Sequence, residues 1–135
     1  MQERVVITGM GTVNPLGLNV TESWKNVTNG VSGVGPITLF DPADLQVHIA
    51  CEVKDFVPEH FMEAREARRR DRFEQLSTAA VKEALESSGL EVTEANAGRI
   101  GIVISSAIGG LSYRATPALL IVSSAQTRRS ISMSM

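Results

Sequence analysis

Cysteine is almost missing from this chain: Cys51 is the only one in 135 residues. Its scarcity excludes an internal disulfide framework and a cysteine-rich zinc site, and it fits a reducing compartment, the cytoplasm by default. Long apolar runs are missing too. The stretch at residues 118–122 is far shorter than the roughly twenty residues that cross a bilayer, so no membrane span is expected. Glu3 and Arg4 stand before a short apolar run, which argues against a signal peptide. Without one, the Asn-x-Thr triplets at Asn19 and Asn26 are chance matches to a glycosylation site. A strong charge of one sign is likewise lacking. The net charge of -2 gives no general attraction to nucleic acid, and only residues 65–72 form a local basic cluster. Metal-ligand patterns are absent: His48 and His60 are isolated, without a cysteine or carboxylate pattern around them. They are expected at the surface or at a strand edge.

What is present suits one globular domain of the α/β class, with 43% apolar residues. Val5, Val6 and Ile7 form a β-branched run closed by Gly9 and Gly11, the signal of a central strand buried on both faces. Residues 100–104 give a second such run, leading into Ser105-Ser-Ala-Ile-Gly-Gly110. Between them, Asn19 with Glu22 predicts a capped helix ending at Gly30, with Val20, Trp24 and Val27 near one face. Residues 31–45 read as an irregular connection. Residues 47–56 alternate as an exposed strand, with Val47, Ile49, Cys51 and Val53 turned inward and Cys51 as a small core filler. Asp71 with Glu74 opens a longer helix with an apolar stripe through Phe73, Leu76, Ala80, Val81, Ala84 and Leu85, stopped by Gly89. Its small alanines predict close approach by neighbouring elements.

The glycine turn invites comparison with a dinucleotide loop. That fingerprint requires a third glycine where this chain has Asn14 followed by Pro15, and Asp41 lies too far along to bind a ribose. A different set of landmarks runs in order: Val5-Val-Ile-Thr-Gly-Met-Gly11, Ser32-Gly33, Phe40-Asp41, Glu52-Val-Lys-Asp-Phe56, Glu66-Ala-Arg-Arg69, Asp71-Arg-Phe73, and Ile100-Gly101 leading to Ala107-Ile-Gly-Gly-Leu111. Across residues 3–111 the chain resembles the amino terminus of a β-ketoacyl-acyl-carrier-protein synthase, the elongating condensing enzyme of fatty-acid synthesis, of the KAS II type.

The resemblance implies the amino-terminal part of a thiolase-like αβαβα sandwich, and no cofactor. Such enzymes load an acyl chain onto a cysteine and join it to a two-carbon unit from malonyl-carrier protein, two histidines assisting decarboxylation. The counterparts of that cysteine and of both histidines are expected beyond the end of this chain, which leaves it without catalytic residues. Ile108 matches a position bordering the acyl pocket, which can be contributed across the homodimer of full-length relatives. Arg65, Arg68 and Arg69 match basic residues that dock the acidic acyl carrier protein, the partner the resemblance implies. Arg70 departs from the family, where methionine is usual; unpaired and buried, it would cost several kcal/mol. The likeness divides the chain into residues 1–111 and a tail, 112–135, that has no acidic residue. A frameshift, an early stop, a gene fragment or real divergence each accounts for that tail, and disorder is one expectation for it. Against an enzyme inactive alone stands a second reading, a non-catalytic module that binds acyl carrier protein.

Overall fold

The structure, a computed structural model, describes residues 4–107 and Gly109. Helix α1, Val20–Thr28, begins where the sequence places its cap. Asn19 is extended, and its side-chain oxygen accepts the Glu22 N–H at 2.8 Å. The Glu22 carboxylate reaches one residue further back than the usual box and accepts from Leu18 N at 3.0 Å. At the other end Gly30 adopts φ 67°, and the Gly30 and Val31 N–H groups close on the carbonyls of Val27 and Asn26.

Helix α3, Arg72–Ser88, is the longest element and follows the short helix α2, Ala64–Ala67. Glu74 accepts the Asp71 N–H at 3.1 Å, and Gly89, at φ 63°, ends the helix as expected. Ala79 is its most buried residue, at 1% exposure. The alanine stripe admits a close neighbour, and that neighbour is the glycine turn. A β-carbon at Gly9 would lie 2.7 Å from Cβ of Ser88, and one at Gly11 would lie 2.7 Å from the Ala84 nitrogen and closer still to the Ala80 carbonyl. The Gly-x-Gly spacing therefore lets bare backbone lie directly on α3.

Strand β1, Gly35–Pro36, pairs antiparallel with β2, Ile49–Ala50, in the register Gly35 to Ala50 and Pro36 to Ile49. This ladder is much shorter than the strand expected over residues 47–56, and its faces are reversed. Val47, Ile49 and Cys51 are exposed, while Ala50 is half-buried and Glu52 is 8% exposed; of the residues expected inward, Val53 is half-buried. The reversal has a polar cause. The Glu52 carboxylate accepts from Thr38 N, Thr38 Oγ1 and Leu39 N, so turning it outward would strip donors from the returning chain. Cys51 consequently fills no core.

Below this ladder the Phe56 and Phe61 rings stack at 5.3 Å, with Phe56 buried. The two runs expected as central strands behave differently. Residues 5–7 and 102–104 join no sheet among the described residues, and Val5 and Val103 are each 96% exposed. A parallel central strand needs a partner on each edge and a layer on each face, and the described residues supply neither. The expectations for residues 112–135 lie outside the described residues. No helix among the described residues is long and apolar enough to cross a membrane.

Candidate functional site

The basic cluster divides by geometry into inward and outward members. Arg72, in the first turn of α3, sets its guanidinium 4.7 Å from the Phe56 ring centroid and donates to the Val53 carbonyl at 3.3 Å. Arg70 pairs with Glu66 at 3.5 Å, one helical turn back. It is neither buried nor unpaired, since 41% of its side chain is exposed. The feared cost of an unpaired buried charge therefore does not arise. Arg65, Arg68 and Arg69 are exposed and make no salt bridge among the described residues.

These three sit on or just after α2, and α2 is too short to hold itself. Its first turn follows a 3-10 turn at Pro58–His60. Its far end is held by Gln75, whose side-chain nitrogen donates to the Ala67 carbonyl at 2.8 Å and to the Arg70 carbonyl at 3.1 Å. Ala67 is buried beneath, at 4% exposure. The result is a small platform with three guanidinium groups outward, suited to carboxylates or phosphates on an acidic partner.

The glycine turn is the other place where chemistry was conceivable, and the Thr12, Leu16 and Val20 amides that follow it are already taken. Glu83, from α3, accepts the Thr12 N–H at 2.9 Å with one oxygen and the Val20 N–H at 2.8 Å with the other. Asn14 accepts from Leu16 N and donates to Thr12 Oγ1 and Ser23 Oγ. A phosphate cradle uses free amides at the helix start, whereas here the Glu83 carboxylate already accepts the Val20 N–H and would repel an anion. An open, mostly apolar cleft of about 580 Å³ remains beside the turn, lined by Met10, Val20, Trp24, Val27 and Ala84 among others.

Among the described residues no cluster of three metal-ligating side chains exists. His48 is exposed and donates from Nε2 to the Leu45 carbonyl at 2.7 Å; His60, also exposed, tilts against Phe61. Ile108 lies outside the described residues. Next to it, a β-carbon on Gly109 would come within 2.8 Å of the Phe73 ring, so Gly109 lies against the start of α3. Glu52 has its carboxyl held below the ordinary value, first by the Thr38 hydroxyl donating to it. Desolvation opposes that shift, and the Leu39 and Thr38 N–H groups and the Lys54 charge add to it.

Sequence reasoning missed Glu52, Gln75 and Glu83 as organising residues. For Glu83 a signal existed, an acid three positions from Ala80 and beside Ala84 on an otherwise apolar stripe. Gln75 and Glu52 carry no comparable mark.

Comparison with known proteins places this arrangement. The sequence profile described as "Beta-ketoacyl synthase, N-terminal domain" matches residues 2–135. A Coxiella burnetii protein named 3-oxoacyl-[acyl-carrier-protein] synthase 2 is 44% identical over 112 residues, covering 83% of this chain and 27% of that protein. One of the same name from Vibrio harveyi is 46% identical over 110 residues, covering 82% of this chain and 26% of its own length. In three dimensions the chain superposes on a chain of the ishigamide ketosynthase/chain length factor with a TM-score of 0.59 and 34% identity, over 64% of this chain and 21% of the other. This chain thus spans about a quarter of the curated relatives it matches. The profile match over nearly the whole chain shows the family: the chain belongs to the β-ketoacyl synthase family, within its N-terminal domain.

Proposed function

We propose that this chain is the amino-terminal part of a 3-oxoacyl-acyl-carrier-protein synthase, an acyltransferase of fatty-acid synthesis. The reaction is a decarboxylative Claisen condensation. An acyl group held as a thioester on an enzyme cysteine is attacked by the carbanion left when malonyl-carrier protein loses CO2, and the thiolate leaves. In this reading residues 1–111 form part of a thiolase-like αβαβα sandwich that dimerises in full-length relatives, and 112–135 are a divergent tail. Ile108 borders the acyl pocket. The described residues supply no nucleophile for the chemistry: Cys51 is exposed in a loop, with neither a helix amino terminus nor a histidine assigned to activate it. The resemblance assigns the cysteine and the two histidines of the condensation to later parts of the full-length enzyme.

The observation that carries the reading is the outward trio Arg65, Arg68 and Arg69 on a platform fixed from α3. Its partner is acidic acyl carrier protein. Titrating the chain with purified carrier protein tests it: saturable binding at low salt, weakening as salt rises, is expected. Replacing all three arginines by glutamine lowers affinity by about tenfold, from roughly 0.5 kcal/mol for each exposed pair. Absence of saturable binding at low salt overturns the docking role.

A second reading is supported by the same face. A chain with a docking platform and no catalytic group among its described residues suits a module that sequesters carrier protein. Supplying the remainder of a family member in trans separates the two readings: restored formation of 3-oxoacyl product supports the enzyme part, and inhibition by competition for carrier protein supports the module.

A further inference from the structure

Of the docking arginines, Arg65 lies in a helix of four residues, Ala64–Ala67, and Arg68 and Arg69 lie in the turn after it that ends at Asp71. So short a helix is not stable by itself, since one or two turns do not repay nucleation. Its orientation must come from what it touches. Two contacts from the first turn of α3 meet it or its underside. The Gln75 amide donates both its hydrogens, one to Ala67 at 2.8 Å and one to Arg70 at 3.1 Å, two carbonyls that flank Arg68 and Arg69 in sequence. Arg72 covers Phe56 and ties the Val53 carbonyl, while Phe56 stacks on Phe61 just before α2. Gln75 is the only side chain among the described residues that bonds the backbone on both sides of Arg68 and Arg69.

We propose that Gln75 is a positioning residue for carrier-protein docking: its amide clamps the Ala67 and Arg70 carbonyls and so fixes the direction in which Arg68 and Arg69 project. This rests on the docking reading above. It separates two tasks that a basic cluster otherwise mixes. The exposed guanidinium charges set the long-range field and hence the rate of encounter, whereas the clamp sets how well the docked contacts hold.

The test measures association and dissociation rates of acidic holo-acyl carrier protein on the full 135-residue chain across a salt series. Q75M keeps the length and helix propensity of the side chain but donates no hydrogen bond. It should raise the dissociation rate roughly threefold to tenfold, the loss expected for one to two neutral hydrogen bonds, and leave the association rate and its salt dependence within about twofold. R68Q should do the reverse in kind, slowing association and flattening its salt dependence. In hydrogen exchange, Q75M should speed exchange at residues 67–70 while the middle of α3 keeps its protection.

If Q75M loses the helical signal of α3, Q75L, which also removes the donor without adding charge, replaces it in the same assays. If R65Q, R68Q and R69Q leave both rates unchanged, the docking reading itself fails. If they act but neither Gln75 variant changes dissociation or local exchange, docking stands and the clamp is overturned.

Discussion

The glycine turn and the two apolar runs began with equal claims as structural landmarks, yet they end in opposite conditions. Residues 9–12 and Val20 are joined to α3 by backbone contact and by the Glu83 hydrogen bonds, and Asn14 ties the turn to Ser23 of α1. Residues 5–7 and 102–104, far more apolar, are all exposed, from 52% at Ile104 to 96% at Val5 and Val103. Apolarity by itself buries nothing. A helix can close its own hydrogen bonds and needs one neighbour, while a central strand needs two edges and two faces, so the helical region is completed with fewer partners.

Breaking the completed region should have the largest effect. G11A places a methyl group against the Ala80 carbonyl, which belongs to helix backbone and cannot swing aside. The expected cost is about 3 kcal/mol, the upper range for overpacking, read as a lower midpoint in urea unfolding followed by helical circular dichroism. A loss under about 0.5 kcal/mol would show that the turn does not lie on α3. Next comes E83A, which leaves the Thr12 and Val20 N–H groups without their carboxylate. About 2 kcal/mol is expected, since hydrogen bonds to a charged group are the stronger kind. E83Q, which can still accept on its one carbonyl oxygen, should recover part of it.

Much of this region was legible in the residues. The caps at Asn19, Asp71 and Gly89 appear where their side chains or φ values require, because capping is decided within four residues of chain. The close approach to Ala80 and Ala84 was legible as small residues awaiting a neighbour, though not which neighbour. What was not legible depends on distance. Glu83 meets Thr12 across 71 positions, and Gln75 meets Ala67 across a chain reversal. The parity of residues 47–53 was misread because alternation reports only that faces differ. Three donors on Thr38 and Leu39 decided which face turned in. Arg65, Arg68 and Arg69 were singled out by family likeness alone, while the inward use of Arg72 and the pairing of Arg70 show only in three dimensions.

Glu52 sharpens the comparison through pH. Its carboxyl is held below its ordinary value of 4.5 in the folded chain, so folding favours the ionised form. The stability it contributes is complete above that ordinary value and is lost as pH falls through the lowered folded value. E52Q removes this dependence. Wild type and E52Q should therefore differ most at neutral pH and converge under acid, with a smaller difference than E83A produces because the loop closed by Glu52 is short. Equal slopes of stability against pH in the two proteins would contradict the assignment.

The smallest effect on folding should come from the most apolar target. Val103 is 96% exposed, so V103K removes almost no buried surface and adds a charge already in water. Its unfolding midpoint should stay within the error of the wild type, inside about 0.5 kcal/mol. Solubility should change instead. The run around Val103 is β-branched, uncharged and unpaired, the pattern that invites edge-to-edge association, and a lysine on such an edge opposes it. Light scattering at rising concentration should therefore show less self-association in V103K than in the wild type. A destabilisation of 2 kcal/mol or more would instead mean that residues 102–104 are buried in solution, and the contrast with the glycine turn would fall.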